Sequence, residues 1–307
     1  MIIAENLTKK FNGFLAVDNI SFEVKESEIF GFLGPNGAGK TTTIRMLSTL
    51  LGPTSGNITV DGRDIKKDSS YIRSIIGILT EAPGMYEKIS AYENLNYFAS
   101  FYNLPAGSRE ANIKKLLEMF GLWSRKDELV ATFSKGMKQK LALARALVHQ
   151  PRILFLDEPT SGLDPESAHM VRDFIYSLKK ENTTVFLCTH NLNEAASLSD
   201  RVCIINKEII KLSSLSELQN YRDISDVEIR LVQPPRNFKN LVEEVTGVKQ
   251  VSIKDNRLMV GLVEPEKTNP RIIKTLTDNG ADIIYINEIK ESLEEIYLTL
   301  IRQERNE

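Results

Sequence analysis

An α/β fold built on a parallel sheet, with a β-rich opening, an inserted helical subdomain and a small second α+β domain, follows from three features of the sequence. Residues 29–33, Ile-Phe-Gly-Phe-Leu, form a continuous apolar run that enters a glycine-rich turn, the pattern of a strand buried on both faces. Two further apolar runs, at 153–156 and 185–188, flank a helical segment around Ala168 to Lys180. That arrangement makes a β-α-β crossover and hence a parallel sheet. Near residue 220 the pattern changes to short alternating strands separated by helical pieces.

In chain order, the alternation Leu15-Ala16-Val17-Asp18-Asn19-Ile20-Ser21-Phe22-Glu23-Val24, then polar Lys25-Glu26-Ser27-Glu28, reads as an antiparallel strand and its connection. Beyond the glycine-rich turn, Ile44, Leu47 and Leu51 recur at helical spacing until Gly52-Pro53, which predicts a helix stopped there. From about Ser90 to Gln150 the period is helical. Leu116, Leu117 and Phe120 form one stripe, and Met137, Leu141, Ala144, Leu147 and Val148 another. A helical subdomain is therefore expected at about 82–150, inside a first domain spanning 1–215. The second domain, 220–307, carries strands at Val227-Ile229-Leu231, Val251-Ile253, Leu258-Val260-Leu262 and Ile284-Ile286, with a helix through Phe238, Leu241, Val242 and Val245. Its last helix opens with a capping box, Ser292-Leu293-Glu294-Glu295, and sets Leu293, Ile296, Tyr297, Leu300 and Ile301 on one core-facing side.

Composition excludes several classes. Across 307 residues, 39 Lys plus Arg nearly balance 41 Asp plus Glu, so no nucleic-acid groove or anionic membrane surface is expected from bulk charge. The longest apolar run, 29–34, is six residues, far short of the roughly 20 that span a bilayer. Glu5 near the start argues against an export signal. The two cysteines, Cys188 and Cys203, lie inside apolar strand-like runs and read as buried reduced thiols of a cytosolic protein. His149, His169 and His190 are scattered and no Cys-x-x-Cys occurs, so no zinc site is expected.

Chemistry concentrates in three places. Gly34-Pro35-Asn36-Gly37-Ala38-Gly39-Lys40-Thr41 fits the phosphate-loop pattern G-x-x-x-x-G-K-[ST] between an expected strand and helix. Glycines let successive N–H groups curl around phosphate oxygens, and the helix N-terminus adds partial positive charge. Lys40 is placed to reach β/γ-phosphates and Thr41 to ligate Mg²⁺, with Thr42 beside them among the expected nucleotide-binding residues. Next, the strand Ile153-Leu154-Phe155-Leu156 ends in Asp157-Glu158, at the sheet edge where ligands of open α/β folds bind. Asp157 is the candidate for the Mg²⁺ shell, and Glu158 for orienting or deprotonating a water. Finally, Ser134-Lys135-Gly136-Met137-Lys138-Gln139 precedes an apolar-periodic helix, with Ser134 as N-cap and Gly136 leaving N–H groups open, a second anion-binding helix end.

On these residues the chain resembles the ATP-binding cassette family, whose signature is a Ser-x-Gly-x-x-Gln-like element just upstream of a helix. The resemblance runs over about residues 1–215. It implies a P-loop NTPase fold with a RecA-like core, an antiparallel β subdomain and an inserted helical subdomain. It implies that Phe11 stacks on adenine, that Asp164 in Ser161-Gly162-Leu163-Asp164 is the D-loop acid, and that His190 contacts the γ-phosphate. Two positions depart from the family pattern. Glu81 stands where a glutamine usually begins the link to the helical subdomain, adding negative charge beside the triphosphate, and Lys135 replaces a small signature residue.

The resemblance further implies an ATPase with ATP and Mg²⁺ as ligands. Two cassettes, as homodimer or heterodimer, would sandwich ATP between one loop and the partner's Ser134 and Gly136. Without a spanning segment, the permease would be a separately encoded membrane protein docked near residues 81–86, with the chain peripheral on the cytoplasmic face. The stretch Thr80-Glu81-Ala82-Pro83-Gly84-Met85-Tyr86 and the C-terminal extension are similar to the exporter-like group. A soluble cassette ATPase acting on ribosomes or DNA is the alternative. The tandem cassettes, long coiled coil or zinc insertions of such relatives are not visible here. A phosphate-loop kinase of small molecules leaves Ser134-Lys135-Gly136 and His190 unexplained.

Overall fold

Two compact units, Met1–Leu215 and Ser216–Glu307, make up the computed structural model, which describes residues 1–102, 104–219, 225–289 and 293–304. The first unit opens with β1 (Ile2–Phe11) and β2 (Phe14–Val24), a hairpin followed by β3 (Ile29–Leu33), α1 (Lys40–Leu47), β4 (Ser55–Val60), β5 (Arg63–Asp64), α2 (Ser69–Ile75) and β6 (Ile76–Leu79). Helices α3 (Ala91–Ala99), α4 (Ala106–Met119) and α5 (Lys135–Leu147) then intervene. The remainder is β7 (Ile153–Asp157), α6 (Pro165–Leu178), β8 (Thr184–Thr189), α7 (Leu192–Leu198), β9 (Arg201–Asn206) and β10 (Glu208–Ser214).

A six-stranded sheet of order β10-β9-β3-β8-β7-β6 is the spine, parallel except for its β10 edge. Every residue of β3, β7 and β8 is buried, as the continuous apolar runs require. A second, antiparallel sheet, β2-β1-β4-β5, packs on one face of this spine through aromatic rings. Phe22 of β2 meets Phe30 at 5.8 Å and Phe32 at 5.5 Å between centroids, and Phe186 joins Phe32 at 5.1 Å. Stacked and tilted ring contacts of this kind add about 0.5–1.5 kcal/mol each beyond area burial. Another apolar cluster joins Leu154, Leu156 and Leu187 of the spine to Leu116, Leu117 and Phe120 of α4 and Leu141 and Leu147 of α5. Cys188 and Cys203 are buried free thiols on β8 and β9.

Several boundaries differ from the sequence reading. Helix α1 ends at Leu47 rather than at Gly52, because Thr49 takes φ +62 and the N–H groups of Leu50 and Leu51 turn back to the Arg45 carbonyl. Helix α6 begins at Pro165, three residues earlier than the apolar period suggested, because Asp164 caps it. Ser90 and Glu93 form a capping box on α3. Strands β1, β4, β5, β6 and β10 were not individually legible, and β9 only as the apolar run around Cys203.

The second unit has α8 (Leu215–Gln219) at its junction, then β11 (Ser225–Leu231), α9 (Lys239–Glu243), β12 (Val248–Lys254), β13 (Arg257–Leu262), α10 (Pro265–Asp278), β14 (Ile283–Ile289) and α11 (Leu293–Glu304). The sheet order β12-β13-β11-β14 with this β-α-β-β-α-β sequence is the split β-α-β arrangement. Val227, Ile229, Leu231, Leu258, Val260 and Leu262 form its core with Val242, Ile272 and Leu276. Ile284, expected on the buried face, is 52% exposed. A register irregularity between Arg230 and Leu231 puts Ile283 opposite Leu231 instead. Helix α10 was not foreseen, because Pro265 and Pro270 read as breakers; Pro265 sits in the tolerated first turn. On α11, Leu293 and Ile296 are buried as expected, whereas the cap residue Ser292 and the Leu300 side chain lie outside the described residues. No helix among the described residues is long and apolar enough to cross a membrane.

One buried group makes the first unit pH-sensitive. His149 stacks on Tyr102 at 3.6 Å, its Nε2–H donates to the Ile76 carbonyl at 2.9 Å, and Nδ1 has no partner. Burial lowers its pKa to about 4, against about 6.5 in an unfolded chain. The unfolded chain therefore binds the extra proton first as pH falls, and stability is lost from about pH 6.5 downward until the folded form titrates. Between pH 7 and pH 5 the parent is expected to lose about 2 kcal/mol more than His149→Phe. Urea midpoints at both pH values measure this, and equal losses would contradict it.

Candidate active site

Parallel strands aim their carboxyl ends at one edge of the spine, and the loops leaving β3, β7, β8 and β6 deliver the Gly34–Thr41 loop, Asp157-Glu158, His190 and Glu81 to it. They surround a cavity of about 490 Å³ lined by Phe14, Ala16, Pro35, Asn36, Gly37, Gly39, Lys40, Thr41, Thr42, Glu81, Asp157, Glu158 and His190. Gly37 takes φ +83 and faces open space where a Cβ would stand. Gly39 takes φ +100, and a Cβ there would lie 2.6 Å from the Ala16 carbonyl oxygen. Both positions thus require glycine. Gly34 and Ala38 are buried behind the loop, Gly34 against the Ile205 carbonyl oxygen, which a Cβ would meet at 2.4 Å. The first-turn N–H groups of α1 have no intrahelical partner and open onto the cavity with the loop.

Lys40 is almost fully buried. Its ammonium donates to the Gly34 carbonyl at 2.7 Å and the Pro35 carbonyl at 3.2 Å, and lies 4.0 Å from Glu158 Oε1. Thr41 Oγ1 donates to Asp157 Oδ2 at 2.8 Å. Burial raises the Asp157 pKa, and the negative charges of Glu158 and Glu81 push it further, against the Thr41 bond and Lys40. This concentration of carboxylate charge, with a hydroxyl and a carboxylate oxygen side by side, fits a hard divalent cation.

Glu158 occupies a left-handed backbone, φ +52, which costs about 1–3 kcal/mol for a residue with a side chain. Its Oε1 accepts from the His190 backbone N–H at 3.0 Å and from His190 Nδ1 at 2.8 Å; its Oε2 accepts from the Thr189 hydroxyl at 3.3 Å. Since a carboxylate only accepts, Nδ1 bears the proton, and Nε2 is the ring nitrogen left for a ligand. The turn after Glu158 is tied down from α5, where the buried Gln139 donates to the Pro159 carbonyl at 3.0 Å.

Besides Gly34 and Ala38, four expected site residues stand outside the cavity wall. Phe11, 42% exposed, is paired across the β1–β2 hairpin with Phe14, and Phe14 is the aromatic that lines the cavity. Ser134 caps α5, accepting from the Met137 N–H at 3.2 Å. Asp164 caps α6, accepting from the Ser167 N–H at 2.9 Å, and the bonds to Ser167 hold its carboxyl below the usual range. A Cβ on Gly136 would lie 3.7 Å from Asp164 Oδ2 and 3.5 Å from Ser167 Oγ, so the starts of α5 and α6 adjoin, and neither lines the cavity. The sequence reading missed Phe14, Gln139 as a clamp on the Glu158 turn, and Thr189. The alternation read for β2 starts one residue beyond Phe14, and nothing local marks any of the three contacts.

A family model described as "ABC transporter" matches residues 17–161. The chain is similar to the bacitracin transport ATP-binding protein BcrA of Bacillus licheniformis, 37% identical over 306 residues, covering 98% of this chain and 97% of that protein. Among solved structures it is similar to one titled an ATP binding subunit of an ABC transporter, at TM-score 0.67 and 28% identity, covering 72% of this chain and 92% of the other. It is also similar to the ATP-binding cassette MJ0796 in a dimeric post-hydrolysis state bound to ADP and Pi. That match has TM-score 0.65 and 25% identity, covering 70% of this chain and 99% of the other.

Proposed function

The chain belongs to the ABC transporter ATP-binding proteins, an ATP-hydrolysing family, and from that premise we propose that it powers a membrane exporter through ATP-driven pairing of two cassettes. The observation that carries the chemical part is the cluster of Lys40, Thr41, Asp157, Glu158 and His190 around one glycine-lined cavity. The loop N–H groups and Lys40 bind the β- and γ-phosphates. Thr41 and Asp157 would hold Mg²⁺, whose charge would offset that of the transferred phosphoryl group. Glu158 orients the attacking water and takes its proton, while His190, fixed by its bond to Glu158, presents Nε2 to the γ-phosphate. The hairpin aromatics Phe11 and Phe14 flank the adenine side, and Glu81 links the cavity to the helical subdomain.

The position of the α5 and α6 N-termini outside the cavity supports a two-cassette engine. Ser134, Gly136 and Asp164 have no role at their own loop, and a second cassette, identical or different, would bring its phosphate loop to them. A separately encoded permease would dock beside Glu81 and the aromatic edge made by Tyr86, Tyr97, Phe98 and Phe101, holding the chain peripherally at the cytoplasmic face. BcrA's name, bacitracin transport ATP-binding protein, supports coupling to a transporter. Light scattering with Mg²⁺ and a non-hydrolysable ATP analogue tests the pairing. A dimer is expected with nucleotide and a monomer without; a monomer at saturating nucleotide overturns self-pairing.

A further inference from the structure

Glu194 lies at the third position of α7, just beyond His190, and only 2% of it is exposed. A glutamate there usually reaches back to the N-cap N–H. Here Asn191, the N-cap, donates its N–H to Thr189 Oγ1 at 3.0 Å, and its own side chain caps α7. Glu194 is diverted instead: its Oε1 accepts from the Thr160 hydroxyl at 2.7 Å, while Oε2 is buried with no hydrogen-bond partner. Burying a carboxyl so incompletely satisfied is costly, and the site is two residues beyond Glu158 along the loop.

That loop is the strained one. Glu158 holds φ +52, and such a backbone persists only where its surroundings over-determine it. Gln139 fixes Pro159 from the α5 side, and Glu194 fixes Thr160 from the α7 side. Thr189, on the strand before α7, donates its hydroxyl to Glu158 Oε2. Burial raises the Glu194 pKa against the bond from Thr160, and the charge of Glu158 raises it further, so the two carboxyls sense each other. We propose that Glu194 is a positioning residue for Glu158, clamping through the Thr160 hydroxyl the left-handed turn that aims the water-activating carboxylate.

The inference rests on the reading of Glu158 as the group that activates water, and steady-state kinetics with labelled-ATP binding on the full chain separates the two. In Glu194→Ala, kcat is expected to fall about 10- to 100-fold, with KM and ATP affinity within about twofold of the parent. Glu194→Gln keeps an oxygen for the Thr160 hydroxyl and should restore kcat to within about threefold. Thr160→Val should reproduce the alanine defect without folding risk at α7, and adding Glu194→Ala to it should cost little more, because both remove one contact. Unaltered kcat in Thr160→Val and Glu194→Ala, an equal loss in Glu194→Gln, or a fall in affinity matching that in kcat each overturns the clamp. If Glu158→Gln itself retains turnover, the base assignment fails and this inference with it. Lost turnover there alongside normal Glu194→Ala kinetics overturns the clamp alone.

Discussion

Glu158→Gln is expected to lower ATP turnover about 1000-fold while ATP affinity stays within about threefold of the parent. The amide has nearly the shape of the carboxylate, and its oxygen can still accept from the His190 N–H and from Nδ1, which the parent does at 3.0 and 2.8 Å. Thr41 and Asp157 keep their mutual bond and Lys40 its bonds to the Gly34 and Pro35 carbonyls, losing only the opposite charge of Glu158 4.0 Å away. The amide cannot take a proton from water, so the loss falls on the chemical step and corresponds to about 4 kcal/mol of transition-state stabilisation. Steady-state turnover and equilibrium binding, measured side by side, check both halves. Turnover within tenfold of the parent would move the role of base to another group. A matching fall in affinity would instead make Glu158 a binding residue.

The second large effect is expected in stability. Gly77 lies in β6, opposite Leu154, where the last turn of α5 crosses the sheet. A Cβ at that position would stand 2.1 Å from the Ala146 carbonyl oxygen and 3.0 Å from both Leu154 Cδ1 and Pro151 Cγ. The first of these is backbone and cannot swing aside, so α5 or β6 must shift as a body. Gly77→Ala is expected to destabilise the first unit by about 3 kcal/mol, lowering its thermal midpoint by roughly 6–12 °C. Calorimetry on the full chain measures it, and a midpoint within about 2 °C of the parent would show that the contact relaxes at little cost. The same helix begins at Ser134 and Gly136, so the substitution also tests how far that end tolerates displacement.

Legibility in the sequence followed the range of the interaction. The Gly34–Thr41 loop and the Asp157-Glu158 strand end are written in contiguous residues, because curling N–H groups and a carboxylate at a strand terminus are local demands. Ser134 as the cap of α5 was readable for the same reason. The Thr160–Glu194 bond spans 34 residues, and neither residue type announces it. The outward turn of Ile284 depends on a register irregularity that strict alternation cannot foresee. Helix α10 was hidden because two prolines signal a break, although one of them occupies a position where its missing N–H costs nothing. The cavity-lining role of Phe14 emerged only once the hairpin had set it opposite Phe11.

The pairing of β3 has a consequence for synthesis. Its neighbours are β8, which brings Val185 beside Ile29, and β9, so 156 residues separate the strand from the nearer of its partners. At about 5–20 residues per second, the ribosome needs roughly 8–30 s to supply it. Throughout that interval this fully buried apolar strand, and the loop attached to it, have neither edge covered. Nucleotide cannot assist folding until the spine closes late. The growing chain is therefore a natural client for a chaperone over its first two hundred residues, and any slowing of translation between α5 and β8 lengthens its exposure.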